Sequence, residues 1–430
     1  MSLVHGPSLR PAPAGGVPPS GPETHETSRG GPRVSPVDRW VLGGIRQRLS
    51  TVPVRFALWD GSEYEPSVLP VVATVTIFDR PTLYRLAVNP DLYFGEAYMA
   101  GRLDVTGDMV ALMESVNRSM KGRRRRSDLH FFESRRHRVA RARSNIHHHY
   151  DIGNDFYRLW LDEELLYTCA YFPTPDTDLE AAQRAKMELV CRKLALSPGD
   201  RVLETGCGWG ALAFHMARHH GARVRAFNIS HEQIEYARSR AKREGLGDRV
   251  EFIEDDWRNA TGQFDVFVSV GMLEHVGLEG YAELRQCIES RLARDRGRGL
   301  MHFIGRTQQD ALNAWIRKRI FPGAYPPTLS EVMTRVLEPA NMTVLDIENL
   351  RLHYAKTLWH WRTRFEAQLA EVARMFDDPF VRAWRLYLAG SEAAFLSGWL
   401  QLFQITFAPG AHNQIPWTRA DLYRDGITDC

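Results

Sequence analysis

The chain has 430 residues, 44% of them hydrophobic, which allows two or three domains and a sizeable core. A net charge of +3 argues against a protein that is basic throughout for polyanion binding, and five scattered cysteines without a C-x-x-C pair argue against a zinc site or a disulfide framework. No secretory pattern opens the chain, and no apolar run approaches the roughly 20 residues of a membrane span, so a soluble cytoplasmic protein is expected.

Residues 1–38 are rich in Pro, Gly, Ser and Thr and are expected to be disordered. Residues 39–120 read as a small α+β domain. Val54 to Trp59, the Asp60-Gly61 turn and Ser62 to Tyr64 suggest a hairpin, and Val71 to Phe78 a buried strand. Helical patterns follow at 81–88 and 90–99, then a strand at 101–105 and a helix at 109–117.

A basic linker over 121–145 comes next, its charge beginning at Arg118 and including Arg123 to Arg126, Arg135, Arg136, Arg138, Arg141 and Arg143. Such a stretch can be a solvated linker. It can also be a patch for anionic lipid headgroups, where each basic residue near the surface is worth about 1 kcal/mol. Nucleic acid is disfavoured because no recognition motif accompanies the charge. The run His147-His-His149 does not read as a metal site: adjacent side chains diverge and no partner has ligand spacing.

From 146 to 410 strands and helices alternate, which predicts a parallel sheet with helices on both faces. Strands are expected at 201–204, 223–228, 250–253, 264–270 and 299–304. Beyond Thr357 the pattern turns helical and aromatic, with Trp359, Trp361, Trp384, Tyr387 and Trp399. Ala393 to Phe407 carries apolar residues at helical spacing and reads as a terminal helix, either packed in the core or walling an acyl tunnel. The tail 411–430 is polar.

The segment Arg201-Val-Leu-Glu-Thr-Gly-Cys-Gly-Trp-Gly210 carries the chemistry. Strand, glycine loop and helix is how an open α/β sheet receives a nucleotide-like cofactor, with Gly206, Gly208 and Gly210 permitting close backbone approach. The third glycine position of the dinucleotide fingerprint and the Lys-Ser/Thr of a P-loop are missing. Glu204 would repel a pyrophosphate but suits the sulfonium and ammonium of S-adenosylmethionine (SAM). The fold expected is therefore α/β, a Rossmann-like SAM-dependent methyltransferase sheet with a smaller N-terminal α+β domain.

Ligands of such sheets sit at the carboxyl ends of the strands. Asn228 and Ser230 follow the second strand, Asp256 and Trp257 the third, Glu274 and His275 the fourth. Asn228 replaces the acid that commonly holds a ribose, and Trp257 could stack on adenine. His302 lies inside an apolar strand, where a histidine is usually a satisfied core residue, but close to the crevice.

The chain resembles the cyclopropane-fatty-acyl-phospholipid synthase family, which includes the mycolic acid cyclopropane synthases. The resemblance rests on His149-Tyr-Asp-Ile-Gly-Asn154, Leu166-Tyr-Thr-Cys-Ala-Tyr171, Val202 to Gly210, Ser269-Val-Gly-Met-Leu-Glu-His-Val-Gly277, Ile320-Phe-Pro-Gly323 and His353-Tyr-Ala-Lys-Thr-Leu358. Thr205 departs from the family's usual Ile.

The resemblance implies transfer of the SAM methyl to the cis double bond of a phospholipid acyl chain, then proton loss and ring closure. It implies a bicarbonate base held by Cys169, Glu274, His302, Ile304 and Tyr354. It further implies SAM contacts at Tyr150, Gly206, Gly208, Asn228, Gln233 and Trp257. Membrane phospholipids are the implied partners, met at the inner face of the membrane through the basic residues; a homodimer is possible. Rival readings are an enzyme that leaves a methyl or methylene branch, a non-catalytic lipid-binding protein, and a small-molecule methyltransferase.

Overall fold

A computed structural model of the chain describes residues 33–120 and 152–422. The expectations for residues 1–32, the basic linker, His147 to His149, Tyr150 and the end of the tail lie outside the described residues.

The N-terminal unit begins with α1 (Pro36–Arg48), whose first turn falls within the stretch 1–38 expected to be disordered. The reason is a capping box: the Ser35 side chain accepts from the Asp38 amide while Asp38 accepts from the Ser35 amide, with Pro36 at the first helical position. A four-stranded sheet follows, in the order β2-β1-β3-β4, built from β1 (Val54–Leu58), β2 (Glu63–Tyr64), β3 (Ala73–Ile77) and β4 (Leu103–Gly107). The expected hairpin forms: β1 and β2 pair antiparallel around Gly61, whose φ of +84° only glycine adopts without strain. Strand β3 pairs parallel to β1 and antiparallel to β4. Helices α2 (Arg80–Val88), α3 (Pro90–Met99) and α4 (Met109–Met120) complete the unit.

The larger unit opens with α5 (Asn154–Arg158) and α6 (Leu179–Lys193). Its seven-stranded sheet runs β10-β11-β9-β8-β5-β6-β7. Five strands are parallel and match the expected ones: β5 (Arg201–Thr205), β6 (Arg223–Asn228), β7 (Val250–Glu254), β8 (Val266–Val270) and β9 (Arg298–Gly305). Between them run α7 (Ala211–His220), α8 (His231–Arg243), α9 (Leu273–Val276) and α10 (Tyr281–Arg291). Alternate residues serve opposite faces, as strand geometry requires. Val202, Val266 and Leu300 pack with α6, α7 and α8; Leu203, Phe267 and Met301 pack with α10.

Two expectations change here. The sheet is mixed, because β10 (Met342–Asn349) and β11 (Gln401–Pro409) pair antiparallel with each other, and β11 pairs antiparallel with β9. The apolar run Ala393 to Phe407 is not one helix. Gly398, at φ +73°, ends the preceding helix, and the Leu400 amide turns back to the Ala394 carbonyl. Every residue of β11 is buried, so its continuous apolar pattern is that of a strand enclosed on both faces.

Helices α11 (Ala314–Arg319), α12 (Leu329–Val332), α13 (Arg351–Ala367), α14 (Leu369–Met375) and α15 (Asp378–Leu396) complete the chain. The aromatic residues of α13 and α15 join α5 and the N-terminal sheet in one continuous core. Arg382 of α15 seals that junction: it donates to the Leu103 carbonyl at 3.0 Å and to Asp104 at 3.0 Å, and stacks over Tyr98 at 4.2 Å. No helix among the described residues is long and apolar enough to cross a membrane.

Candidate active site

A crevice opens at the carboxyl ends of β5, β6, β7 and β8. Glu204, Gly206, Gly208, Asn228, Gln233, Asp256 and Trp257, all expected SAM residues, line it. The loop after β5 is pinned by the Gly206 amide donating to the Phe227 carbonyl at 2.9 Å. Gly206 at φ +81° and Gly208 at φ +55° hold backbone conformations that other residues rarely take. Asn228 donates to Gln233 at 2.6 Å and to the Gly208 carbonyl at 3.3 Å, which ties the β6 end to the glycine loop. Asp256 is ion-paired with Arg258 at 3.0 Å, and Arg258 stacks on Trp257 at 4.5 Å.

Gly210 does not line the crevice. It starts α7, and a Cβ there would come within 2.6 Å of the Phe252 ring, so its glycine serves close helix–sheet packing.

Glu204 is buried, with Oε2 unpartnered, and burial pushes its carboxyl up to about 8 despite the nearby Lys186. Lys186 also lines the crevice and donates to Thr168 Oγ1 at 2.8 Å. Burial pushes its ammonium down to about 8, against the pull of Asp162, Cys169 and Glu204. A carboxyl and an ammonium that both titrate at about 8 beside the cofactor loop can adapt to a zwitterionic amino-acid moiety such as that of SAM. Sequence reasoning missed Lys186, because a lysine within α6 reads as a surface residue until its face of the helix is seen buried beside the glycine loop.

The second set of residues lies beside this crevice. Glu274 opens α9 directly after β8, and its Oε1 accepts from the Ile304 amide of β9. The Gly271 amide donates to the His302 carbonyl at 2.8 Å, holding the same loop against β9. Glu274 Oε2 and His302 Nε2 are both buried without a protein partner. Burial raises the Glu274 carboxyl to about 7. Burial, aided by Lys186 and Lys193, pushes the His302 imidazole well below its ordinary value, so it is neutral.

Cys169 and Tyr354 reach the same neighbourhood through Leu350. The Cys169 thiol points to the Leu350 carbonyl at 4.0 Å and to the Ala170 carbonyl at 3.2 Å. The Tyr354 amide donates to the Leu350 carbonyl at 3.1 Å, and the Leu350 amide donates to Leu402, which pairs with Ile304. Burial raises the Cys169 thiol strongly, which removes it as a nucleophile. The Ile304 amide is taken by Glu274, so its expected role toward an anion passes through that carboxyl. The Tyr354 ring packs on Phe395 at 4.5 Å and edge-on to Trp361 at 5.9 Å.

Aromatic rings crowd the space above the crevice. Tyr167 lines it and bonds Tyr387 through the two hydroxyls at 2.7 Å; Trp361 and Trp160 enclose Tyr167 at 5.3 Å each. Away from the site, Cys191, His215 and His220 bring donor atoms within 4.8 Å of one another, but Glu188 already engages both imidazoles, at 3.3 and 3.0 Å.

A mixed sheet whose five parallel strands carry a glycine loop after the first, an acid at that strand's end and an adenine-sized aromatic after the third defines a SAM-dependent methyltransferase. Residues 137–405 match the mycolic acid cyclopropane synthetase family, and the chain belongs to it. Residues 44–127 match a domain family of unknown function.

A "Probable fatty acid methyltransferase" of Pseudomonas putida is 38% identical over 87% of this chain and 97% of its own. The cyclopropane-fatty-acyl-phospholipid synthase of Escherichia coli is 38% identical over 62% of this chain and 68% of its own. The structure of mycolic acid cyclopropane synthase CmaA1 complexed with SAH and CTAB is 28% identical and superposes with a TM-score of 0.58, covering 62% of this chain and 97% of that one.

Proposed function

We propose that this enzyme transfers the methyl group of SAM to the cis double bond of an unsaturated phospholipid acyl chain and closes a cyclopropane ring, with bicarbonate as the base. The observation that carries the reading is the pair of unpartnered buried atoms, Glu274 Oε2 just past the end of β8 and His302 Nε2 within the adjacent β9, beside the crevice. Buried polar atoms are rarely left without partners, so a polar ligand is called for. A carboxyl titrating at about 7 and a neutral imidazole fit a small anion that shares a proton with the carboxyl. Bicarbonate held there would supply the base that takes the proton from the methylated chain.

The chain's own residues meet the other needs. An alkene is a weak nucleophile, so it must be held in line with the methyl donor, and the crevice adjoining the aromatic cluster offers that geometry. Methyl addition leaves positive charge on the chain, and water would capture it. The half-buried Tyr167, backed by the fully buried Trp160 and Trp361, limits water and favours a cation. We extend the proposal to a peripheral contact with the inner face of the membrane through the basic residues between 118 and 143, and to a homodimer.

The test uses purified protein, SAM and vesicles of a cis-monounsaturated phospholipid, with proton NMR of the released acyl esters. Upfield cyclopropyl protons are expected. Vinylidene protons with the same mass gain would favour the second reading, an acyl-branching methyltransferase, which the description of the Pseudomonas putida relative supports. No mass gain with SAM bound would overturn both for this lipid.

A further inference from the structure

One row of residues crosses the antiparallel edge of the sheet. Glu348 of β10 pairs with Gln404 of β11, and Gln404 pairs with His302 of β9. Residues directly opposite one another share a sheet face. Lys193, at the end of α6, covers this row, and its ammonium is almost completely buried. It donates to Gln404 Oε1 at 2.7 Å and is ion-paired with Glu348. Gln404 Nε2 in turn lies 3.0 Å from His302 Nδ1. Gln404 is wholly buried, so its amide has no water to turn toward.

The donor and acceptor chemistry of this row leaves one arrangement. An ammonium only donates, so the amide atom facing Lys193 must be the oxygen. The amide NH2 therefore faces His302, and it too only donates. His302 Nδ1 must then be the bare, accepting nitrogen. A neutral imidazole carries one hydrogen, and it is left on Nε2, the atom that points away without a protein partner. The two lysines near His302, Lys186 and Lys193, oppose a second proton on the ring.

We propose that Gln404, oriented by Lys193, is a positioning residue that holds His302 as its Nε2–H tautomer and so presents a hydrogen-bond donor to an anionic ligand beside Glu274. The inference rests on the proposed function for the anion, but its tautomer element does not. Glu348 anchors the lysine, so the row is a relay of orientation from a surface-side acid to a buried imidazole. No proton needs to move along it.

The readout is the tautomer of His302 in the full-length enzyme labelled with 15N-histidine. Long-range 1H–15N correlation distinguishes the two tautomers, and His302→Gln identifies the signal by its loss. The expected result is Nε2–H in the wild type at neutral pH. Nδ1–H there would overturn the proposal without any variant having to fold.

Gln404→Glu supplies the second measurement. A carboxylate still accepts from Lys193 but can only accept from His302, so the ring must place a hydrogen on Nδ1. The expected result is a neutral Nδ1–H ring, with kcat on SAM and phospholipid vesicles at least tenfold lower and SAM affinity unchanged. A flipped ring with unchanged kcat would overturn the donor role. Full activity in His302→Ala would instead remove the proposed anion site, while the wild-type tautomer would stand by itself.

Discussion

The Ile304 amide donates to Glu274 Oε1, binding the segment after β8 to the carboxyl end of the neighbouring strand. This leaves the other carboxylate oxygen without a protein partner, as is Nε2 of His302, two residues before Ile304 and on the same strand face. A carboxyl so held keeps its geometry in either protonation state.

Glu274→Gln keeps an oxygen for the Ile304 amide but loses the titrating group. Turnover is expected to fall by about 10²-fold or more, the range for a group that manages a proton, with SAM binding unchanged. Steady-state kinetics on vesicles and calorimetry with SAM check the two halves separately.

The same carboxyl links stability to pH. Burial raises it from 4.5 to about 7 in the folded enzyme, so between these values the folded state binds the extra proton. Its stabilising contribution is full below 4.5 and is lost as pH rises through about 7. Melting temperatures of the ligand-free wild type should therefore decline across that window more steeply than those of Glu274→Gln.

Glu204 stands at the cofactor loop with burial holding it at about 8. A cationic ligand favours its ionised form, so SAM affinity should rise as pH approaches about 8 and then level. Glu204→Gln should lose that dependence and weaken SAM by about 10- to 100-fold, the scale of a hydrogen bond to a charged group. Calorimetric titrations across pH measure both.

Gly210→Ala tests close packing rather than ligand contact. The residue sits at φ +87°, and the added methyl would meet Phe252 at 2.6 Å. Left-handed strain and overpacking together are expected to cost roughly 2–4 kcal/mol. Chemical denaturation should record the loss, with SAM affinity in the surviving folded protein little changed.

Gly95→Ala probes the junction of the two units. A Cβ on α3 would lie 2.3 Å from the Trp315 ring, whose indole nitrogen points to the Met99 sulfur at 3.1 Å. Overpacking of about 1–3 kcal/mol is expected, and it should push α11 outward. Limited proteolysis near 314–319 should accelerate while the far strands β6 and β7 stay protected.

Much of the catalytic sheet was legible in the chain. The strands β5 to β9 announce themselves as short apolar runs separated by helical periods, and the alternation between Val202 and Leu203 is local information. The end of α15 was less legible. Leu402, Phe403 and Thr406 fall at helical spacing from Phe395, and only Gly398 signals the break. Deciding for a strand required β9 and β10, which come from distant parts of the chain and supply its hydrogen bonds. Lys186 and Lys193 show the same limit: their sequence neighbours are helical and mixed, and burial came from β-strands and loops more than a hundred residues away in the second case.

By itself the sequence determined the glycine loop, the acid before it, the cofactor class and the candidates Glu274 and His302, because strand ends and turns are written in residues that adjoin. Only the tertiary structure decided that Gly210 packs closely on Phe252, that β10 and β11 close the sheet antiparallel, and that Lys193 and Gln404 stand in line with His302. Those outcomes depend on which groups a fold takes away from water and which partners it then leaves them, and pairing across the sheet settles both.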